Sequence, residues 1–205
     1  FNKEWKIINK VLYHKDDKID LSYLSLNGRH QYFNAACAVL ACKEIRNLDM
    51  QNEIIIKGLG DIHWPGRLQK VEGQIKEKYK KLDIWIDAAH NELGFEVLKD
   101  WVNDKKLNNL VMILGLGVNK DIIDIMPKIK KINPRLLCLV RKLKIENHDP
   151  KNIELLAKKF DIETIISENL CSSLEICSKL MKKMNSKNLL ITGSISLISE
   201  VLELD

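Results

Sequence analysis

Asp83-Ile84-Trp85-Ile86-Asp87-Ala88-Ala89-His90-Asn91 is the stretch on which the reading of the fold turns. Five residues rich in β-branched and aromatic side chains read as a buried strand. The two alanines let the chain turn tightly, and Asn91 is a good cap for a following helix. That helix is predicted to turn Phe95, Leu98, Trp101 and Val102 to one side. Downstream the pattern repeats. Strands are predicted at 110–114, 135–140, 162–166 and 188–192. Helices between them carry Ile122, Ile125, Met126 and Ile129, then Leu155, Leu156 and Phe160, then Leu170, Leu174, Cys177, Met181 and Met184. Pro127 leaves the start of the first of these open, and Pro150 opens the second. A last helix is predicted over 194–204. This alternation predicts an α/β fold, a mostly parallel sheet with helices on both faces.

Upstream the rhythm differs. Alternation at Trp5, Ile7, Val11 and Tyr13, and again at Ile19, Leu21 and Tyr23, predicts two strands turning at Lys15–Lys18. A helix over 29–45 is predicted to bury Phe33, Cys37, Leu40, Ala41 and Ile45, followed by a shorter one near 51–57 and a strand over 67–72. Trp64-Pro65-Gly66 breaks the pattern, which places a domain boundary there, between residues 1–64 and 65–205.

Composition sets outer bounds. With 205 residues, 45% hydrophobic and 30% charged, the chain has the profile of a soluble globular protein. No apolar run reaches the roughly 18 residues needed to span a bilayer, and no basic-then-apolar leader is present, so no membrane role and a cytoplasmic location are expected. The first residue is Phe1, not Met, which leaves three origins open: a removed leader, a trimmed protein, or a sequence starting mid-chain. Five cysteines without CxxC spacing read as reduced core thiols. The net charge of +5 comes from dispersed lysines; without an accompanying aromatic pattern it does not suggest nucleic-acid binding.

In an open parallel sheet, ligands gather beyond the carboxyl ends of the strands. Asp87 stands there and could accept a ribose hydroxyl or hold its own turn, and His90 could meet a phosphate or carboxylate or be an ordinary loop histidine. Gly115-Leu116-Gly117-Val118-Asn119-Lys120 lacks the third glycine of a dinucleotide loop, because Lys120 occupies its place. A looser anion site built from backbone N–H groups and Lys120 stays open. Thr192-Gly193-Ser194 is a third turn of this kind. In the first part, His30 and Asn34 share a helix face. Asn34 carries the donor and acceptor that an adenine edge requires, or serves a local hydrogen bond. Arg67, just past the Trp-Pro-Gly turn, suits a phosphate. The sequence contains no HExxH, GxSxG or paired CxxC motif, and no metal site is expected in this chain.

Taken in order, LNGRHQYFNAACAVLA (26–41), WPGRLQKV (64–71), IWIDAAHN (84–91), ILGLGVNKD (113–121) and ITGSISLISEVL (191–202) resemble the folylpolyglutamate synthase/dihydrofolate synthase family of the Mur ligase superfamily. The resemblance spans nearly the whole chain. It implies that residues 1–64 close a central ATPase domain and that 65–205 form the Rossmann-like C-terminal domain, with ATP in the cleft between. By position it implies ATP-binding roles for Asn34 (adenine), Arg67 (phosphates) and Asp87 (ribose side), and catalytic roles for His90, Lys120 and Asp121. Asn119 replaces the first acid of the family's Asp-Lys-Asp loop, and Glu92 stands where a proline is common. The implied reaction is ATP-dependent amide ligation, joining L-glutamate to a folate or to dihydropteroate through an acyl phosphate, by a cytoplasmic monomer. The P-loop, the Mg²⁺ ligands and a carbamylated lysine would lie N-terminal to this sequence, which contains no G-x-x-x-x-G-K-[ST]. The chain by itself is therefore expected to be inactive. A non-catalytic remnant or partner-binding module of a split gene, and another Mur-type ligase, are the alternatives.

Overall fold

The computed structural model describes residues 5–45 and 50–205. The chain divides into two compact units, Phe1–Trp64 and Pro65–Asp205.

The first unit opens with an antiparallel meander: β1 (Trp5–Ile8), β2 (Val11–His14) and β3 (Asp17–Asp20). Three strands stand where alternation predicted two. The extra turn is Asn9-Lys10, with both residues at positive φ (50° and 64°) and Ile8 paired to Val11. That is the backbone of a two-residue hairpin turn, which asparagine adopts easily and lysine seldom does. Tyr23 lies in a short 3-10 turn, not in a strand. Helix α1 (Arg29–Glu44) buries Gln31, Ala35, Ala36 and Val39, the face opposite to the predicted one. Phe33, Cys37, Ala41 and Ile45 are exposed. Apolar residues occur on both sides of the helix, so spacing alone admits either face. Packed with α2 (Asn52–Gly60), it covers a small core of Leu12, Ile19, Leu21, Ile55 and Leu59.

The second unit is a three-layer α/β sandwich. Its six-stranded sheet has the order β4-β5-β9-β6-β7-β8, from β4 (Gln69–Lys70), β5 (Asp83–Asp87), β6 (Val111–Leu114), β7 (Leu136–Val140), β8 (Thr164–Ser167) and β9 (Asn188–Thr192). Only the two-residue β4 runs antiparallel. The strand predicted over 67–72 shrinks to this piece, and a short helix α3 (Gln74–Lys78) follows it. From β5 the chain steps outward through α4 (Glu92–Asp104), β6, α5 (Ile122–Ile132), β7, α6 (Pro150–Lys158) and β8. These three helices pack on one face, around Phe95, Leu98, Met126, Ile129 and Ile153. It returns through α7 (Leu170–Lys183) into β9, then α8 (Ile195–Leu204), and these two cover the other face around Leu174, Cys177, Met181, Leu197 and Val201. The central strands β6, β7 and β9 are buried on both faces, which is why they read as near-continuous apolar runs.

Two packing expectations fail here. Leu155 is exposed, and α6 buries Ile153 and Ala157, one turn apart, with Pro150 at its start. Cys37 and Cys171 are exposed, whereas Cys138 and Cys177 sit in the core; all five thiols are free. Pro127 lies inside α5, where it removes the donor that would reach Ile123. No helix among the described residues is long and apolar enough to cross a membrane.

Candidate functional site

Return of the chain into the middle of the sheet sets β9 between β5 and β6, so the loops leaving all three strands meet at one edge. They are tied to one another. The Gly115 amide donates to Thr192 O (3.1 Å), and Thr192 Oγ1 donates to Ala89 O (3.4 Å). Gly193 turns between them at φ 114°, where a Cβ would stand 2.6 Å from Gly115 O. Ser194 then caps α8, its Oγ accepting from Leu197 N at 3.1 Å.

Asp87 is the node of this edge. It ends β5 and is 8% exposed, and its carboxylate oxygens accept from Leu68 N (3.0 Å) and Ala89 N (2.9 Å). Burial raises its pKa above the ordinary carboxylate value; these two N–H bonds and the nearby Arg67 and His90 act the other way. The Leu68 bond, with Ala88 N donating to Gly66 O (2.9 Å), fixes the segment that carries Arg67. Leu68 is held at φ 45°, unusual for a branched side chain. The exposed Arg67 is thereby set beside the Asp87 carboxylate.

His90 hangs from the same turn. Its Nδ1 lies 2.8 Å from Ala88 O; a carbonyl only accepts, so Nδ1 carries a proton, and in the neutral ring Nε2 is the acceptor. His90 lines a cavity of about 460 Å³ together with Lys120, Lys144, Ile145, Ser194 and Ser196. Lys120 ends the loop after β6, and Lys144 and Ile145 belong to the loop after β7. The backbone anion cradle considered for 115–120 is not formed by the amides of Gly115, Val118 and Lys120, which donate to Thr192 O, Glu146 O and Gly117 O. The loop's contribution is the Lys120 side chain. Asp121 caps α5, accepting from Ile123 N at 2.9 Å.

The structure thus gathers four of the six sequence-predicted residues at one edge of the second unit: Arg67, Asp87, His90 and Lys120. Asp121 borders them in a capping role. Asn34 belongs to the first unit, on α1, exposed, its Nδ2 donating to Gln31 Oε1 at 3.0 Å.

No protein-family model matches the sequence. Over 182 residues, 86% of the chain, it is 25% identical to the dihydrofolate synthase/folylpolyglutamate synthase of Bacillus subtilis, of which it spans 39%. Its structure matches that of Mycobacterium tuberculosis folylpolyglutamate synthase complexed with ADP and AMPPCP at a TM-score of 0.86, with 20% identity, over 99% of this chain and 48% of that one. Escherichia coli FolC in complex with DHPP and ADP matches at 0.76, with 17% identity, over 99% and 46%. The chain has the folylpolyglutamate synthase fold. It resembles the C-terminal part of such an enzyme and spans less than half the length of the relatives it matches.

Within that folylpolyglutamate synthase fold, the edge just described keeps polar groups open to a partner. Each Asp87 oxygen accepts one N–H and keeps a lone pair, and an exposed guanidinium stands beside it. Among the described residues, no group of three or more His, Cys, Asp or Glu is placed to hold a metal ion. Reading by motif missed Lys144, Ser196 and His148. Ser196 lies within the 191–202 stretch but is not singled out by it; nothing in the local sequence marks Lys144 or His148, whose loop reaches this edge because β7 pairs with β6.

Proposed function

We propose that this chain is the C-terminal part of an ATP-dependent ligase that joins L-glutamate to folates, to dihydropteroate, or to both, through an acyl phosphate. The observation that carries the reading is the convergence of Arg67, Asp87, His90 and Lys120 at one strand-end edge of a folylpolyglutamate synthase fold. In this reading Arg67 meets the nucleotide phosphates and Asp87 its ribose side. Both Asp87 oxygens are already engaged, so a hydroxyl would be a third partner on a preformed node. Asn34 contacts adenine with its free carbonyl and remaining N–H. Lys120 adds positive charge near the transferring phosphoryl group. His90 presents Nε2, which when neutral accepts a proton or hydrogen bond, so it suits the attacking amine better than an anion. Asp121 serves through its cap, holding Lys120 at the helix start.

ATP and Mg²⁺, when bound, supply the phosphoryl group and the charge that steadies its transfer. The lysine loop and metal ligands for that step are proposed to lie in polypeptide outside this sequence, and the chain alone is proposed not to ligate. The test has two arms. Purified 205-residue protein with ATP, dihydropteroate and glutamate is expected to release no ADP; turnover would overturn the proposed inactivity. A protein extended upstream through an in-frame P-loop is expected to release ADP and form the amide with at least one of the two acids. A stop codon in place of that frame, or an extended protein inert with both acids, would favour a non-catalytic remnant.

A further inference from the structure

Two histidines stand at this edge with opposite ring nitrogens engaged. His90 is tethered through Nδ1; His148, in the loop between β7 and α6, is tethered through Nε2, which lies 2.7 Å from Lys120 O. That acceptor is again a carbonyl, so His148 Nε2 carries the proton and donates. The loop holding His148 is clasped to the loop holding Lys120 along the backbone as well. Gly117 and Asn147 form an antiparallel bridge, Val118 N donates to Glu146 O (3.3 Å), and His148 N donates to Leu116 O (3.0 Å). The imidazole extends this clasp by three residues, to the end of the loop. Lys120 is then fixed on both sides, its N–H donating to Gly117 O (3.1 Å), its carbonyl held by His148, and its successor Asp121 capping α5.

We propose that His148 is a positioning residue for Lys120, and that the loop 141–149 is a working part of the site. Its Lys144 and Ile145 line the same cavity as His90 and Lys120. Its own conformation is anchored from elsewhere, by Lys144 N donating to Glu200 Oε1 (3.0 Å) and Lys142 N to Glu168 O (2.9 Å), and from within, by Asn147 Nδ2 donating to Arg141 O (3.1 Å). Removing the imidazole therefore leaves the loop in place and frees the Lys120 end of its neighbour. The functional weight of this inference rests on Lys120 belonging to the proposed ligase site; the positioning itself does not.

The test uses the 205-residue chain and its His148→Ala and His148→Gln variants. In the wild type at a pH where the ring is neutral, ¹⁵N shifts are expected to show the proton of His148 on Nε2 and that of His90 on Nδ1. In His148→Ala, exchange of the Lys120 amide is expected to quicken roughly three- to tenfold, the loss of one hydrogen bond, with amides of β6 and β7 unchanged. Acylation of Lys120 by acetic anhydride, read by mass spectrometry against Lys130, is expected to change in the same variant. His148→Gln, whose side-chain amide can donate to the same carbonyl, is expected to restore both readouts toward the wild type. An Nδ1 proton on neutral His148 overturns the proposal. So does an unchanged Lys120 amide in His148→Ala, or a glutamine variant that behaves like alanine. Should His148→Ala fail to fold, the wild-type ring signature and the glutamine variant still decide. None of these readouts uses nucleotide, so a failed ligase reading would show separately, as an upstream-extended protein that makes no amide.

Discussion

Replacing Asp87 by alanine should separate the two things its carboxylate does. The wild-type side chain accepts from two buried amides, Leu68 N and Ala89 N. Alanine leaves both donors without an acceptor, each at about 1–3 kcal/mol, while relief of a buried charge offsets part of the sum. The expected loss is about 2–4 kcal/mol, a fall in melting temperature on the order of 5–15 °C. Asp87→Asn keeps one acceptor oxygen and sheds the charge, so it should cost under about half as much. The pH dependence has a definite sign. Burial raises the folded pKa above the ordinary 3.8, so the folded state holds the proton more tightly than the unfolded one. The contribution of Asp87 is then fully present below 3.8 and falls as pH rises through the raised value. Relative to the alanine variant, the wild type should therefore gain stability on acidification from neutral pH. Urea denaturation at several pH values measures the gap, and amide exchange locates it. An alanine variant within about 0.5 kcal/mol of the wild type, or Leu68 and Ala89 amides as protected as before, would refute the reasoning.

Other perturbations probe the frame around that node. Gly193→Ala puts a Cβ 2.6 Å from Gly115 O at a φ of 114°, and should lower unfolding free energy by more than about 2 kcal/mol in denaturant titration. A smaller loss would mean that the meeting of the loops after β6 and β9 is slack. Hydrogen bonds from Lys99 and Lys128 pull Glu96 down to about 2, so its stabilising share is present above the ordinary 4.5 and is lost as pH falls toward 2. Carboxyl ¹³C titration should show that midpoint, and Lys128→Met should move it upward. Ellman's reagent should label the exposed Cys37 and Cys171 in the folded chain and reach Cys138 and Cys177 only on unfolding. The neighbouring Cys138 thiol and burial both push Cys177 up in pKa.

The parts of the fold that sequence reveals are those where one physical demand dominates. Asp83–Asp87 and Asn188–Thr192 lie inside the sheet, so their middle residues, Ile84–Ile86 and Leu189–Ile191, are apolar and strand-forming, and both strands stand where the sequence places them. The α4 stripe of Phe95, Leu98, Trp101 and Val102 has a polar reverse face, which leaves no choice of side. Helix α1 has no such contrast: Phe33 and Cys37 compete with Ala35, Ala36 and Val39, and the smaller residues win the core. At the site, the turn after β5 is legible because its residues act locally. Lys144 and His148 act across space: the parallel pairing of β7 with β6 sets their loop beside the one that holds Lys120.

What distinguishes this edge is how its polar groups are divided. The groups that could float are spent on one another. Asp87 holds Leu68 and Ala89, Thr192 holds Ala89, Ser194 and Asp121 cap helices, and the amides of Gly115, Val118 and Lys120 hold their neighbours' carbonyls. Left over are the Arg67 guanidinium, the Lys120 ammonium and His90 Nε2, three side chains whose backbones are fixed and whose reactive ends are not used by those bonds. For the ligand proposed above, charges carried on fixed backbones leave little backbone to reorganise when an anionic group arrives. The same division gives a change at Asp87 a second route to Arg67, beside the loss of the neighbouring charge. The carboxylate fixes Leu68, Leu68 fixes the direction of the preceding residue, and a loosened Arg67 loses orientation before it loses charge.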